Sequence, residues 1–328
     1  MKRITRRKFL KNTTLAGAAV VFPSGWKCTA ERSPFDARGL PTRILGKTGV
    51  QVPLLTIGTG SRFIDVKGED KRLKILEYAL DQGLYYWDTA AIYRQKDSDL
   101  YSESQLGEVL KTWRKEVFLA SKVSDRDPDL AKKSIENSLE RLQTDYFDLY
   151  QVHSIESLED AKNVGKKGGI LDVLHDYRDQ GVIRHIGFSG HRSGEGMKFA
   201  AESYDFDTML IAMNHWVQWD ESPEKQAIPA AGKNGLGIIA MKVIRPMDTI
   251  ENLEADKLLR YALSLEHIST AVVGIDSLEV LKENIHTIKN FKPLGPEEMR
   301  QMRTALAPYY RHHNLEWMQP GYVDGQYT

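Results

Sequence analysis

One alternation, repeated eight times, constrains this chain more than any other feature. A short apolar run of strand length is followed each time by apolar residues at helical spacing. The runs are Leu54–Gly58, Tyr86–Asp88, Val117–Lys122, Phe147–Val152, Ile183–Ser189, Thr208–Asn214, Leu236–Lys242 and Ser269–Gly274. Between them lie helical sets such as Leu73, Leu76, Ala79 and Leu80, which stop at Gly83, and Leu171, Leu174 and Tyr177, which stop at Gly181. Leu278, Leu281, Ile285 and Ile288 close the series. Eight βα units in 328 residues predict a closed (β/α)8 barrel, the TIM-barrel architecture, and not an open doubly wound sheet. A single domain accommodates them. Ahead of the first unit, Thr42–Val52 carries two short β runs around Gly46-Lys47-Thr48-Gly49, the pattern of a hairpin.

That topology places every strand C-terminus on one face. Three of the runs end in groups that carry chemistry: Asp88, with Tyr93 five residues on, then Lys122, then His153. Each alone is an ordinary strand-end polar residue, since strand ends face water. Together they would crowd one rim. Gly58-Thr59-Gly60-Ser61 follows the first run, and a lone G-x-G serves any tight turn.

Lys+Arg and Asp+Glu both number 45, which leaves no basic field for nucleic acid. The one cysteine, Cys28, excludes an intramolecular disulfide and any cysteine-based zinc or iron–sulfur cluster. His312-His313 lacks a further ligand at suitable spacing, and His185 and His191 read as a strand and a loop residue, so no metal site is expected. At the N-terminus, Thr5-Arg6-Arg7-Lys8-Phe9-Leu10-Lys11 matches the twin-arginine export pattern. The apolar region after it, Leu15–Phe22, is too short to span a bilayer. The expected organisation is a signal peptide over 1–30, a polar tether over 31–41 and the barrel over 42–328. The export machinery is then a partner, and the destination is the periplasm or beyond.

With these residues assembled, the chain resembles the aldo-keto reductases from about Thr42 to Asn284. The tetrad Asp88, Tyr93, Lys122 and His153 carries the likeness, joined by Leu278–Asn284, which is similar to the family's adenosine-binding helix. The resemblance implies a nicotinamide cofactor, NADP or NAD, across the barrel mouth, and a small carbonyl, alcohol or sugar substrate. It implies Ser189 near the carboxamide, Thr59 and Gly60 near the nicotinamide, and Gly274, Glu283 and Asn284 around the adenosine. Met241 and Lys242 end the seventh strand, where Lys242 could neutralise phosphate. It also implies a C-terminal tail over the barrel mouth, and Tyr309–Met318, Trp216 and Trp219 could supply aromatic walls there. Tyr93 would be the general acid or base, because a nearby ammonium, Lys122, lowers the pKa of a phenol. Asp88 would hold Lys122, and His153 would orient the carbonyl.

Six positions depart from the family pattern: Gly190 replaces asparagine, Leu210 glutamine, Met241 an aromatic ring, and Ile275, Asp276 and Val280 the usual phosphate-binding residues. These favour NADH, or a grip that uses Lys242 and Arg245. An exported enzyme would carry its cofactor with it and pass hydride between two substrates. The alternatives are a catalytically silent barrel acting as a binding or regulatory module, and a metal-dependent barrel enzyme using Asp88 and His153.

Overall fold

The structure, a computed structural model, describes residues 35–96, 98–213, 223–244, 254–307, 317 and 322–324. The twin-arginine segment, Trp216, Trp219, Arg245 and His312-His313 lie outside the described residues.

Two antiparallel strands, β1 (Thr42–Ile44) and β2 (Gln51–Pro53), form the expected hairpin. Eight parallel strands then close a barrel: β3 (Leu55–Gly58), β4 (Tyr86–Asp88), β5 (Phe118–Val123), β6 (Phe147–Val152), β7 (Ile183–Gly190), β8 (Thr208–Ala212), β9 (Gly237–Met241) and β10 (Ile268–Gly274). They pair in chain order, and β10 pairs with both β9 and β3. Residues on these strands are almost all buried, as apolar runs covered on both faces require. The core is continuous from the strands to the surrounding helices.

Between strands run α1 (Ser61–Ile64), α2 (Glu69–Asp81), α3 (Ser102–Trp113), α4 (Pro128–Arg141), α5 (Leu158–Val164), α6 (Ile170–Asp179), α7 (Gly194–Ser203), α8 (Pro223–Lys233) and α9 (Ala255–Ser264). Local chemistry fixes their starts. Asp127 accepts from the amides of Asp129 and Leu130, with Pro128 in the first turn of α4. Ser157, Ser193 and Ser277 each accept one first-turn amide of α5, α7 and α10 (Leu278–Lys289). A further helix, α11 (Pro296–Leu306), follows where the sequence reading assigns only tail. Among the described residues, no helix is long and apolar enough to cross a membrane.

The hairpin caps the N-terminal end of the barrel. Leu45 is fully buried, the Arg43 guanidinium donates to the Ile268 carbonyl at 2.6 Å, and the Lys47 amide donates to Gly235 at 2.7 Å. Gly46 sits in the left-handed region (φ 49°), where a Cβ would lie 2.1 Å from the Gly237 nitrogen, so glycine is required there. Within the tether expected over 31–41, Phe35 and Leu40 are packed, while Asp36, Arg38 and Gly39 are exposed. Phe35 stacks on Tyr85 with ring centroids 5.1 Å apart, and Leu40 is buried.

Inside the barrel, register brings Lys122 beside Gln151, and Gln151 beside Gly187. A side chain at Gly187 would place its Cβ 2.1 Å from Thr208 Oγ1 and 3.2 Å from Gln151 Cγ. The missing side chain makes room for the polar layer beneath the mouth.

Candidate active site

β4 ends at Asp88, and the next residues fold over β5: the amides of Thr89 and Ala91 donate to the carbonyls of Ala120 and Lys122. This turn sets Tyr93 above the barrel, its ring against Gly60. Lys122 is 1% exposed, and its ammonium donates to Asp88 Oδ2 at 2.5 Å and to the Thr89 carbonyl at 2.8 Å. Gln151 Nε2 donates to the other Asp88 oxygen at 3.2 Å. Burial pushes the Asp88 carboxyl above its ordinary value, against the lowering effect of Lys122. The Lys122 nitrogen lies 5.1 Å from the Tyr93 ring centroid, and the Tyr93 and His153 rings meet edge-on at 5.9 Å. The expected tetrad is therefore assembled in one place.

His153 is held from below and behind. Its amide donates to Val123, and its Nδ1 is 3.1 Å from Ser124 Oγ. The next residue, Ser154, adopts a left-handed backbone (φ 52°), uncommon for a residue with a side chain. Arg126 stabilises that turn by donating to the carbonyls of His153 and Ser154 at 2.9 and 3.0 Å, while it also pairs with Asp160. Ser189 Oγ accepts from the Ser154 amide at 2.9 Å, so this serine braces the His153 turn.

The centre of the site carries no signal in the sequence. Asp324, from the C-terminal tail, is buried among these groups. Its Oδ2 accepts from the Tyr93 hydroxyl at 2.8 Å and lies 3.1 Å from His153 Nε2. Its Oδ1 accepts from Lys242 Nζ at 2.7 Å and from the Tyr322 hydroxyl at 2.9 Å, with His191 Nε2 at 3.5 Å. Burial raises the Asp324 carboxyl, but Lys242, then His191 and the bond from His153, outweigh it and hold it well below the usual carboxylate range. Burial pushes His153 down to about 4, so the ring is neutral at neutral pH. A carboxylate only accepts, so Nε2 carries the proton and Nδ1 accepts from Ser124.

One expectation is corrected by this arrangement. Lys122 was to lower the Tyr93 phenol, yet the phenol is raised well above its ordinary value. Burial is the largest cause, followed by the Asp324 and Asp88 carboxylates. The Lys122 charge is already matched by Asp88.

A cavity of about 260 Å³ opens beside the tetrad. Of the expected cofactor residues, Gly60, Met241, Lys242, Gly274, Glu283 and Asn284 line it, whereas Thr59 and Ser189 do not. Thr59 is fully buried and donates to the Asp88 carbonyl, which holds β3 to β4. Leu210 is also in the wall, as is Asp276, whose charge is paired with Arg62 at 3.0 Å. Asn284 supports a nucleotide at this end. It is 5% exposed in the cavity wall, and its Nδ2 has no hydrogen-bond partner among the described residues. A buried donor of this kind is costly unless a ligand accepts from it. Asn284, in a wall it shares with Glu283 and Gly274, could therefore hold an acceptor group of a bound cofactor.

Comparison with known proteins agrees with this architecture. Residues 54–246 match the model of the aldo/keto reductase family. The chain is 24% identical to the uncharacterized oxidoreductase YqkF of Bacillus subtilis (strain 168), over 75% of this chain and 91% of that protein. It is 25% identical to L-galactose dehydrogenase of Arabidopsis thaliana, over 84% of this chain and 96% of that one. Among solved structures, aldo-keto reductase AKR11C1 from Bacillus halodurans in its holo form superposes with a TM-score of 0.67 at 21% identity, covering 81% of this chain and 96% of that one.

Proposed function

Because this chain belongs to the aldo/keto reductase family, we propose that it is an oxidoreductase in which Tyr93 exchanges a proton with the oxygen of a carbonyl or alcohol substrate. One observation carries this reading: the Tyr93 hydroxyl and His153 Nε2 converge on a single oxygen, beside the buried Lys122–Asp88 pair. That oxygen now belongs to Asp324, and it marks where a substrate oxygen would be held.

A nicotinamide cofactor, the family's usual partner, supplies the hydride when bound. Negative charge then grows on the substrate oxygen, and this chain's residues answer it. Neutral His153 donates from Nε2 and fixes the oxygen without bringing a full charge of its own. Tyr93 gives up its phenolic proton as general acid, and in the alcohol-oxidising direction takes it back. With Asp324 withdrawn, one of the two carboxylates that raise the phenol is gone, and Lys122, kept in place by Asp88 and the Thr89 carbonyl, faces the phenolate. A Tyr93→Phe variant should lose about 10³-fold in turnover yet keep its dinucleotide affinity. Undiminished turnover in that variant would reject the assignment. Mass spectrometry of protein purified without added cofactor, and titration with NADH and NADPH, test the cofactor and its preference; failure to bind either overturns the reading.

Asp324 in the oxygen position favours a second reading, a silent barrel that binds ligands without turning them over. The same titration and turnover assays separate the two. We also propose export by the twin-arginine route with cofactor already loaded, supported by Arg6-Arg7 and the apolar run after it. Fractionation of an Arg6→Lys, Arg7→Lys variant, which should stay in the cytoplasm, tests the address.

A further inference from the structure

Asp324 fills two oxygen positions, not one, and the two differ in character. At the first, the donors are a phenol and a neutral imidazole, Tyr93 and His153. At the second they are the Lys242 ammonium and the Tyr322 hydroxyl, with His191 beside them. The first position suits a polar but uncharged oxygen and the second an anionic one. Lys242 is brought there by a left-handed backbone (φ 61°), a conformation that L residues rarely hold without surrounding constraint. His191 is buried, and its Nε2 makes no well-formed hydrogen bond, so this position has unused capacity.

From this we infer that the mouth of the barrel is a two-oxygen site for a 2-oxo acid, with Asp324 as its internal stand-in. The reacting carbonyl would lie on Tyr93 and His153, and the adjacent carboxylate on Lys242 and His191. The inference rests on the reductase reading above and adds the substrate class. The carbonyl and carboxylate oxygens of a 2-oxo acid, on the same side of the connecting bond, stand only slightly farther apart than those of one carboxylate. The same two donor sets can therefore span them. For the ligand to enter, Asp324 must withdraw, which leaves Lys242 without its carboxylate partner. The Lys242 side chain is only 14% exposed, so an unmatched charge there is costly. A simple aldehyde would not replace the lost charge, and a 2-oxo acid would. In the reductive direction the carbonyl carbon gains a hydride from reduced nicotinamide, which becomes oxidised, and its oxygen gains the Tyr93 proton. The product is the 2-hydroxy acid, its carboxylate unchanged, and the phenolate is reprotonated from solvent.

The test uses the full chain as wild type, Asp324→Ala, the shape-conserving Asp324→Asn, and Asp324→Ala combined with Lys242→Met. Calorimetry with oxamate should show binding at least about tenfold tighter to Asp324→Ala than to wild type, and loss of that gain in the double variant. With cofactor present, phenylglyoxylate should be reduced about tenfold more efficiently than its methyl ester, a preference that Lys242→Met abolishes. Equal oxamate affinity in wild type and both Asp324 variants, or an ester as good as the acid, overturns the inference. So does loss of all carbonyl turnover in a folded Asp324→Asn protein, which would make Asp324 part of the catalytic machinery. Reduction of 4-nitrobenzaldehyde serves as the independent arm. If no carbonyl is turned over but oxamate binds as expected, the two-oxygen site stands and the reductase reading fails.

Discussion

Strand β6 carries a polar centre at each end, and the two centres hold their carboxylates in opposite ways. Near its start, Asp148 accepts from Arg114 at 2.9 Å, from Arg184 at 2.6 Å and from the Leu119 amide at 3.0 Å. These partners come from the connection before β5 and from neighbouring strands, so the barrel cannot close without bringing them together. Just past the other end of β6, His153 meets Asp324, a carboxylate delivered from 171 residues away by the tail. Both acids are buried and well supplied with donors. The first is bound into the sheet itself, while the second lies in no described strand and is held by side-chain partners. A carboxylate of the first kind stabilises the fold, and one of the second kind can be exchanged for a ligand.

Three experiments would break or sharpen this contrast. Asp148→Ala leaves the nearly buried Arg114 and the Leu119 amide without their acceptor, and should cost about 3–5 kcal/mol in urea melts. Arg184 is half exposed, so screening by solvent removes most of its share. A loss below about 1 kcal/mol would place Asp148 outside the structural framework. The second experiment is pH. With His153 at about 4 when folded, against about 6.5 when unfolded, the unfolded chain binds the extra proton between those values. Stability should therefore fall as pH drops from about 6.5 to about 4, by about 3 kcal/mol in all, and level off below. His153→Asn should flatten that part of the profile, and an unchanged slope would mean that the ring is not buried in its neutral form. The smallest effect belongs to Asp324→Asn, expected to cost about 1–2 kcal/mol: Lys242 loses its carboxylate but keeps the Tyr322 hydroxyl, and no described strand pair rests on Asp324. A shift matching that of Asp148→Ala would erase the distinction between the two ends.

The barrel was legible in the sequence because strands buried on both faces must be apolar throughout, and their ends then show as abrupt polar residues. Asp88, Lys122 and His153 stood out for that reason, and Tyr93 by its spacing from Asp88. Asp324 gave no such signal: a single acid in a polar tail has no period, and its partners are set only by three-dimensional closure. His191 looked like one more loop residue, and nothing in the spacing singles out Arg126 or Arg62. Helix α11 was readable but overlooked, since Pro296, Glu297 and Glu298 announce a start and Met299, Met302 and Leu306 keep helical spacing. Ser189 drew attention through resemblance, whereas its hydroxyl serves the Ser154 amide.

Synthesis runs from the N-terminus, and Asp324 lies 231 residues beyond Tyr93. The phenol, imidazole and ammonium of the pocket are therefore all translated long before the acid that joins them. Until Asp324 is made, Lys242 has no carboxylate partner among the described residues, and the oxygen position between Tyr93 and His153 is open. The acid that joins these groups is thus the last of them to be made.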